Sequence, residues 1–105
     1  MTRRPVVLRA AAQHDVAEAI AYYVREGGAE VASRFVDALE HATASISLHP
    51  DAGSPRYAHE LHLPGLRSWL LRDFPYLVFY IERSDQVDVW RVLHGERDIP
   101  AWMRA

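Results

Sequence analysis

Tyr76 to Ile81 is an unbroken run of six apolar or aromatic residues, bounded by Pro75 and Glu82. Its length suits a strand rather than a helix. A strand with one face in water alternates apolar with polar residues. This one does not, so both of its faces, or nearly both, must be covered. It lies in a stretch that reads as three strands, residues 66–73, 76–83 and 86–94, with Phe74-Pro75 and Ser84-Asp85 as turns. Turns that short permit only an antiparallel meander. The cover must then come from the helical half of the chain that precedes it.

That half begins with a β-rich run, residues 5–10, in which Pro5 is tolerable only at a strand start or on an edge. From Ala12 the period changes. Val16, Ala19, Ile20 and Tyr23 recur at helical spacing, and Asp15 and Glu18 fall in the first turn, where the helix dipole favours acids. Gly27-Gly28 ends this helix. A second helix is predicted over residues 29–48, with Ala32, Phe35, Val36, Leu39 and Ile46 on one face and Pro50 just beyond its end. Two helices joined by a Gly-Gly turn form an antiparallel hairpin. Residues 50–65 hold three prolines and two glycines and read as one long loop, a length that is often functional. The tail after Asp98 has room for one helical turn. The expected order is β-α-α-loop-β-β-β: an α+β domain with an N-terminal strand, a helical hairpin, then a three-stranded antiparallel meander.

With 105 residues the chain is long enough for one core and not for two, so residues 1–105 are expected to form a single domain. Half of the residues are apolar and the formal charge is −2, so no global basic field points to nucleic acid. Cysteine is absent, which excludes disulfides and thiolate zinc sites. No apolar run reaches the roughly 20 residues of a membrane helix, and no signal-peptide core follows the basic start, so no membrane association is expected and the cytoplasm is the default location. All 12 basic residues are arginine. No lysine is therefore available as an acid, a Schiff-base amine or a tunable base, and any positive site is a guanidinium site.

Few residues carry chemistry by type and position. His59-Glu60-Leu61-His62 has the wrong spacing for a zinc-binding HExxH helix and sits in a proline-flanked loop, so neither metal nor cofactor is expected. His94 ends an apolar strand and meets Gly95, where it could serve as an acid or base near neutral pH or simply cap the sheet. Arg67, Arg72, Arg91 and Arg97 lie on or beside the sheet, where a subset could grip an anion bidentately or pair with Asp73, Asp88, Glu96 and Asp98. Alternation would put Arg67 and Arg72 on opposite faces.

An ordered set of pieces spans nearly the whole chain. It runs from an acidic, Ala-rich first helix ending in Tyr22-Tyr23, through Ala32, Phe35 and Leu39, to His49-Pro50 and Gly53. It continues with Gly65-Leu66-Arg67, then Phe74-Pro75 ahead of the apolar run, and closes on Arg91-Val92-Leu93-His94 with Arg97-Asp98. With this set the chain resembles the RelE/ParE superfamily of small bacterial toxins from type II toxin–antitoxin operons. The resemblance implies a helical hairpin packed on a twisted antiparallel sheet.

Two activities occur in that superfamily. RelE-like members are ribosome-dependent mRNA endonucleases, and ParE-like members poison DNA gyrase without acting as enzymes. The ribonucleases typically carry a basic residue just before the apolar run of the third strand, where this chain has Tyr76 or Leu77, and many use lysines, which it lacks. The Arg91-Val92-Leu93-His94 ending looks closer to the ParE branch. The favoured expectation is therefore a ParE-like gyrase inhibitor that contacts its target through Arg91, His94, Arg97 and Trp102. A cognate antitoxin would neutralise it in a hetero-oligomer and be received on Tyr22, Tyr23 and Phe35. The alternative is an mRNA endonuclease acting on the translating ribosome and its mRNA, with His94 and Arg67 or Arg72 as its catalytic groups. A third possibility is a non-toxic adaptor that keeps only the fold.

Overall fold

The computed structural model describes residues 3–104. Its elements are β1 (Val6–Leu8), α1 (Ala10–Leu48), a 3-10 turn (Pro50–Ala52), α2 (Arg56–Glu60), β2 (Leu66–Leu70), β3 (Tyr76–Glu82), β4 (Val87–His94) and α3 (Ile99–Arg104). Helix α1 is two arms broken at Gly28, whose φ of 83° and ψ of 173° leave helical space. An L side chain adopts that φ rarely, so the Gly-Gly turn works as its sequence implies. Asp15 does not lie in the first turn, because α1 starts at Ala10. Its place is one turn further in, on the buried face between Ala12 and Ala19.

The four strands run in the order β1-β4-β3-β2, with β1 parallel to β4 and the remaining pairs antiparallel. β2–β3–β4 is the expected meander. The Ser84-Asp85 hairpin closes as predicted, with the Arg83 amide donating to the Gln86 carbonyl at 2.7 Å. The turn before β3 is longer than expected. β2 stops at Leu70 because Asp73 takes a φ of 66° and the Leu71 amide bonds the Tyr76 carbonyl.

Two cores form, one on each face of β3. Val78 and Tyr80 point at α1 and join Ala12, Ala19, Phe35, Leu39, Ala42 and Ile46. Phe79 and Ile81, one residue out of phase, point the other way and join Leu66, Leu93 and Ile99. The expectation that the helical half supplies all the cover is corrected here. The second face is roofed by Tyr57 and Ala58 of α2, by Leu61 and Leu63 after it, and by Trp102 and Met103 of α3. The stretch expected to be one long loop is thus partly helical, and it packs as core.

The preceding turn is fastened to the sheet by Tyr80. Its ring is fully buried; its hydroxyl donates to the Pro50 carbonyl at 2.7 Å and accepts from the Gly53 amide at 3.1 Å. A Cβ on Gly53 would stand 2.1 Å from that hydroxyl oxygen, so glycine is needed there for space, its φ of −68° being ordinary. Arg67 Nη1 donates to the Gly53 carbonyl at 2.7 Å. At the opposite edge Asp88 clamps β1 to the β3–β4 hairpin, accepting from Gln86, Arg83 and Arg9.

Tyr80→Phe strands a carbonyl and an amide in the interior and should lower stability by about 1–3 kcal/mol in urea unfolding. Gly53→Ala should do at least as much by overpacking, about 1–3 kcal/mol, with full retention of stability contradicting the close approach. The Gln86 hydrogen bond foremost, then those from Arg83 and Arg9, hold the Asp88 carboxyl below its usual pKa. A depressed native value means that its contribution is complete above the ordinary carboxylate range and fades as pH falls toward the native value. Asp88→Asn should therefore flatten the acid limb of the stability–pH profile while changing its shape little above neutrality.

Candidate functional site

A cleft of about 520 Å³ opens where the first arm of α1 passes the start of β3 and the C-terminal end of β4. Its helix wall carries Asp15, Glu18, Tyr22, Tyr23 and Arg25, and its sheet wall carries Tyr76, Val92, His94 and Arg97. Aromatic packing shapes the cleft. Phe35, fully buried, meets Tyr23 at 5.3 Å, Phe74 at 5.4 Å and Tyr76 at 5.3 Å between ring centroids. Tyr76 in turn packs edge-on against the His94 ring at 5.3 Å, and Tyr22 packs edge-on against Tyr23 at 5.2 Å. The rings therefore run without a gap from the helical arm to the end of β4, and edge-to-face contacts of this kind each add about 0.5–1.5 kcal/mol beyond burial.

The expected antitoxin contacts divide on this geometry. Tyr22 is 47% exposed and available to a partner, Tyr23 is half-buried, and Phe35 is 0% exposed. Phe35 is thus core, drawn in because it faces both arms of α1 and the Tyr76 end of β3.

Asp15 organises the base of the cleft. β1 pairs with β4 only through Val87–Val89, so beyond that point β4 has no strand on this side. Asp15 fills the gap: its Oδ2 accepts the Val92 amide at 3.0 Å, as a neighbouring strand's carbonyl would. The same carboxylate takes both arms of the Arg91 guanidinium, Nε on Oδ2 and Nη2 on Oδ1, each at 2.7 Å. That hydrogen-bonded charge pushes the Arg91 pKa above its ordinary value. The remaining arm, Nη1, donates to the Trp102 carbonyl at 2.6 Å, tying α3 to the pair. Arg91 is 8% exposed with all three nitrogens engaged, so the structure gives it a positioning role and removes it from the expected target-contact surface. An irregularity in the β3–β4 register makes this possible: Phe79 pairs Arg91, Tyr80 pairs Val89, and Trp90 is the extra residue.

His94, Arg97 and Trp102 share the end of the sheet. His94 Nδ1 accepts the Glu96 amide at 3.1 Å, so the neutral ring carries its proton on Nε2 as a donor. Arg97 is exposed, and its guanidinium lies 4.1 Å from the centroid of the Trp102 ring. Burial, partly offset by Arg97, raises the Tyr76 pKa, which keeps that hydroxyl a neutral donor.

The endonuclease constellation is not assembled. Arg67 faces Tyr80 across the β2–β3 ladder, whereas His94 faces Tyr76 across the β3–β4 ladder. Four residues of strand put them roughly 13 Å apart along the sheet, with β3 also between them. Arg72 lies past the end of β2, where alternation no longer governs it, and lines a separate hollow with Arg34, Asp37 and His41. His59 and His62 are exposed, and no group of three metal-binding side chains occurs among the described residues.

The residue that reading the sequence missed is Asp15. An acid on an otherwise apolar helical face, between Ala12 and Ala19, was the available signal, and the dipole reading misdirected it. Asp15→Ala leaves a buried guanidinium unpaired and should cost about 3–5 kcal/mol in chemical unfolding, with α3 becoming the first segment cut by protease. Unchanged stability would contradict the geometry.

A family model described as the ParE toxin of the type II toxin-antitoxin system, parDE, matches residues 6–99. A solved structure titled "Chromosomal ParDE TA system from P. aeruginosa" superposes with a TM-score of 0.74 at 19% identity, over 90% of this chain and 98% of that one, a likeness of fold alone. No curated protein sequence matches the chain. Since the family match runs from β1 to the first residue of α3, the chain belongs to the ParE toxin family of type II toxin–antitoxin systems.

Proposed function

We propose that this protein is the toxin of a type II toxin–antitoxin pair, that it acts in the cytoplasm by inhibiting DNA gyrase, and that a cognate antitoxin neutralises it in a hetero-oligomer. The observation that carries the gyrase reading over the ribonuclease one is that Arg67 lies far along the sheet from His94, while Arg72 lines a different hollow from His94. Cleavage of mRNA needs an acid for the leaving oxygen and a cation for the developing charge at one phosphate. Arg97, a cation that does share the cleft with His94, lies against the Trp102 ring, and the chain has no lysine. What it offers instead is a surface for binding. His94 Nε2, the Arg97 guanidinium and the edge of Trp102 lie together at the end of the sheet, on a tail held by Arg91. Tyr22 and Tyr23 on the other wall of the cleft suit the antitoxin.

The tail is not a detachable arm. Ile99 is buried, and Trp102 and Met103 roof the second core, so deletion from Arg97 onward would expose Leu66, Phe79 and Leu93 to water. Target contact is better tested by a surface change. Purified protein should inhibit supercoiling by gyrase, with cleaved plasmid accumulating, while leaving mRNA intact in a parallel in vitro translation reaction. Arg97→Glu should weaken that inhibition by roughly tenfold or more, while costing no more stability than the exposed Arg97–Trp102 contact supplies, about 0.5–1 kcal/mol. Codon-positioned mRNA cuts with untouched gyrase would establish the endonuclease, and growth unaffected by induction would establish the non-toxic adaptor.

A further inference from the structure

The edge of the sheet opposite the cleft ends on an uncovered residue. β2 is the last strand in the order β1-β4-β3-β2. Ser68 turns its amide and carbonyl outward, where both bond Ser54 at 2.9 Å. Leu71 turns inward, its amide bonding the Tyr76 carbonyl. Backbone groups along an antiparallel strand alternate between its two sides, so Leu70 has the outward parity of Ser68. Before Ser54 the chain leaves into the 3-10 turn Pro50–Ala52. Among the described residues nothing bonds the outward amide and carbonyl of Leu70. The Leu70 side chain is also 63% exposed, more than any other large apolar residue described.

Beside this edge two adjoining hollows, of about 470 and 210 Å³, run between the second arm of α1 and the end of β2. The larger carries Arg34 and Asp37 from the helix, with Arg72 and Asp73 from the turn before β3. None of these four charges makes an ion pair among the described residues, although Arg34 and Asp37 are one helical turn apart. Two unmatched guanidiniums beside two unmatched carboxylates suit neither a simple anion nor a simple cation. They suit the same four charges brought round by a two-fold axis, so that each guanidinium meets a carboxylate.

We infer that this face pairs with a second copy of the chain. The β2 edges meet antiparallel about an axis through Leu70, whose amide and carbonyl exchange bonds with those of the same residue in the other copy. Directly opposed side chains point to one face of a sheet, so the two leucines cover each other. The second arms of α1 stand side by side over the other face, their charges interleaved. Two backbone bonds alone fall far short of the roughly 1,200–2,000 Å² that a specific interface buries, and the helix arms supply the rest. The cleft lies at the other edge of the sheet, so a dimer keeps both clefts open.

Sedimentation equilibrium of the purified protein across a concentration series should show a two-copy species, and exchange of the Leu70 amide should slow as concentration rises. Leu70→Glu, at an exposed position, should weaken self-association by roughly tenfold or more. Arg34→Glu with Arg72→Glu makes the hollow wholly acidic, and Asp37→Arg with Asp73→Asn makes it wholly basic. Asparagine is chosen at position 73 because the φ there is 66°. Each charge variant alone should be monomeric, and an equimolar mixture of the two should dimerise. A monomer at every concentration overturns the inference, as does a dimer in which Leu70 still exchanges rapidly or the charge changes have no effect. Protection of Leu70 that appears only with the product of the adjacent reading frame, or only with inorganic phosphate, gives the face to that occupant and overturns self-pairing. Should Leu70→Glu fold poorly, the mixing of the two charge variants decides.

Discussion

The His94 end of β4 and the α3 tail depend on the carboxylate of Asp15. Its two oxygens accept three hydrogen bonds, two from Arg91 and one from the Val92 amide. Through Arg91 they also fix the Trp102 carbonyl. One side chain thus joins the first arm of α1 to the middle of β4 and to α3. A buried ion pair is weak evidence of net stability, because desolvation consumes most of the Coulombic gain. What such a pair contributes is placement: removing either member leaves an uncompensated charge, so α1, β4 and α3 have one low-energy arrangement. Tyr80 does the same for the other end, holding the turn after α1 by two hydrogen bonds to its backbone.

These two anchors explain how a small domain keeps a strand covered on both faces. The α1 face of β3 is roofed by a long amphipathic hairpin with ample apolar surface. The other face is roofed only by short pieces: the five-residue α2, the chain after it, and the six-residue α3. Helices that short are marginal by themselves. They stay because the segments around them are bonded to the sheet, Gly53 through Tyr80 and Arg67, and Trp102 through Arg91. Functional surface and core are therefore the same segment at the tail. Arg97 is exposed and Trp102 half-buried, while Ile99 is buried in the second core.

Most of the architecture was legible because it follows from periodicity. Six apolar residues in a row imply a doubly covered strand, two-residue turns imply a meander, and Gly27-Gly28 implies the break in α1. The second roof was not legible, because residues 50–65 are rich in proline and glycine and their apolar members, Tyr57, Leu61 and Leu63, are too sparse to show a period. At the site, residue type misled in both directions. Phe35 looked like spare aromatic surface and is core; Arg91 looked like a contact and is a fastening. In each case the deciding fact is a long-range partner, Tyr76 for one and Asp15 for the other, which local pattern does not reveal. His94 remained ambiguous for the same reason, until the Glu96 amide on Nδ1 and the distance to Arg67 were known.

The claim on which the rest depends is that Asp15 and Arg91 act as one unit. A double-mutant cycle with Asp15→Ala, Arg91→Ala and the combined variant, read by urea unfolding, measures that directly. Residues coupled in one network show interaction energies of about 0.5–3 kcal/mol. The geometry here predicts the upper part of that range, with the double variant more stable than the sum of the single losses allows. Losses that simply add would show that the two side chains do not meet, and that the end of β4, the cleft and the tail are organised by something else.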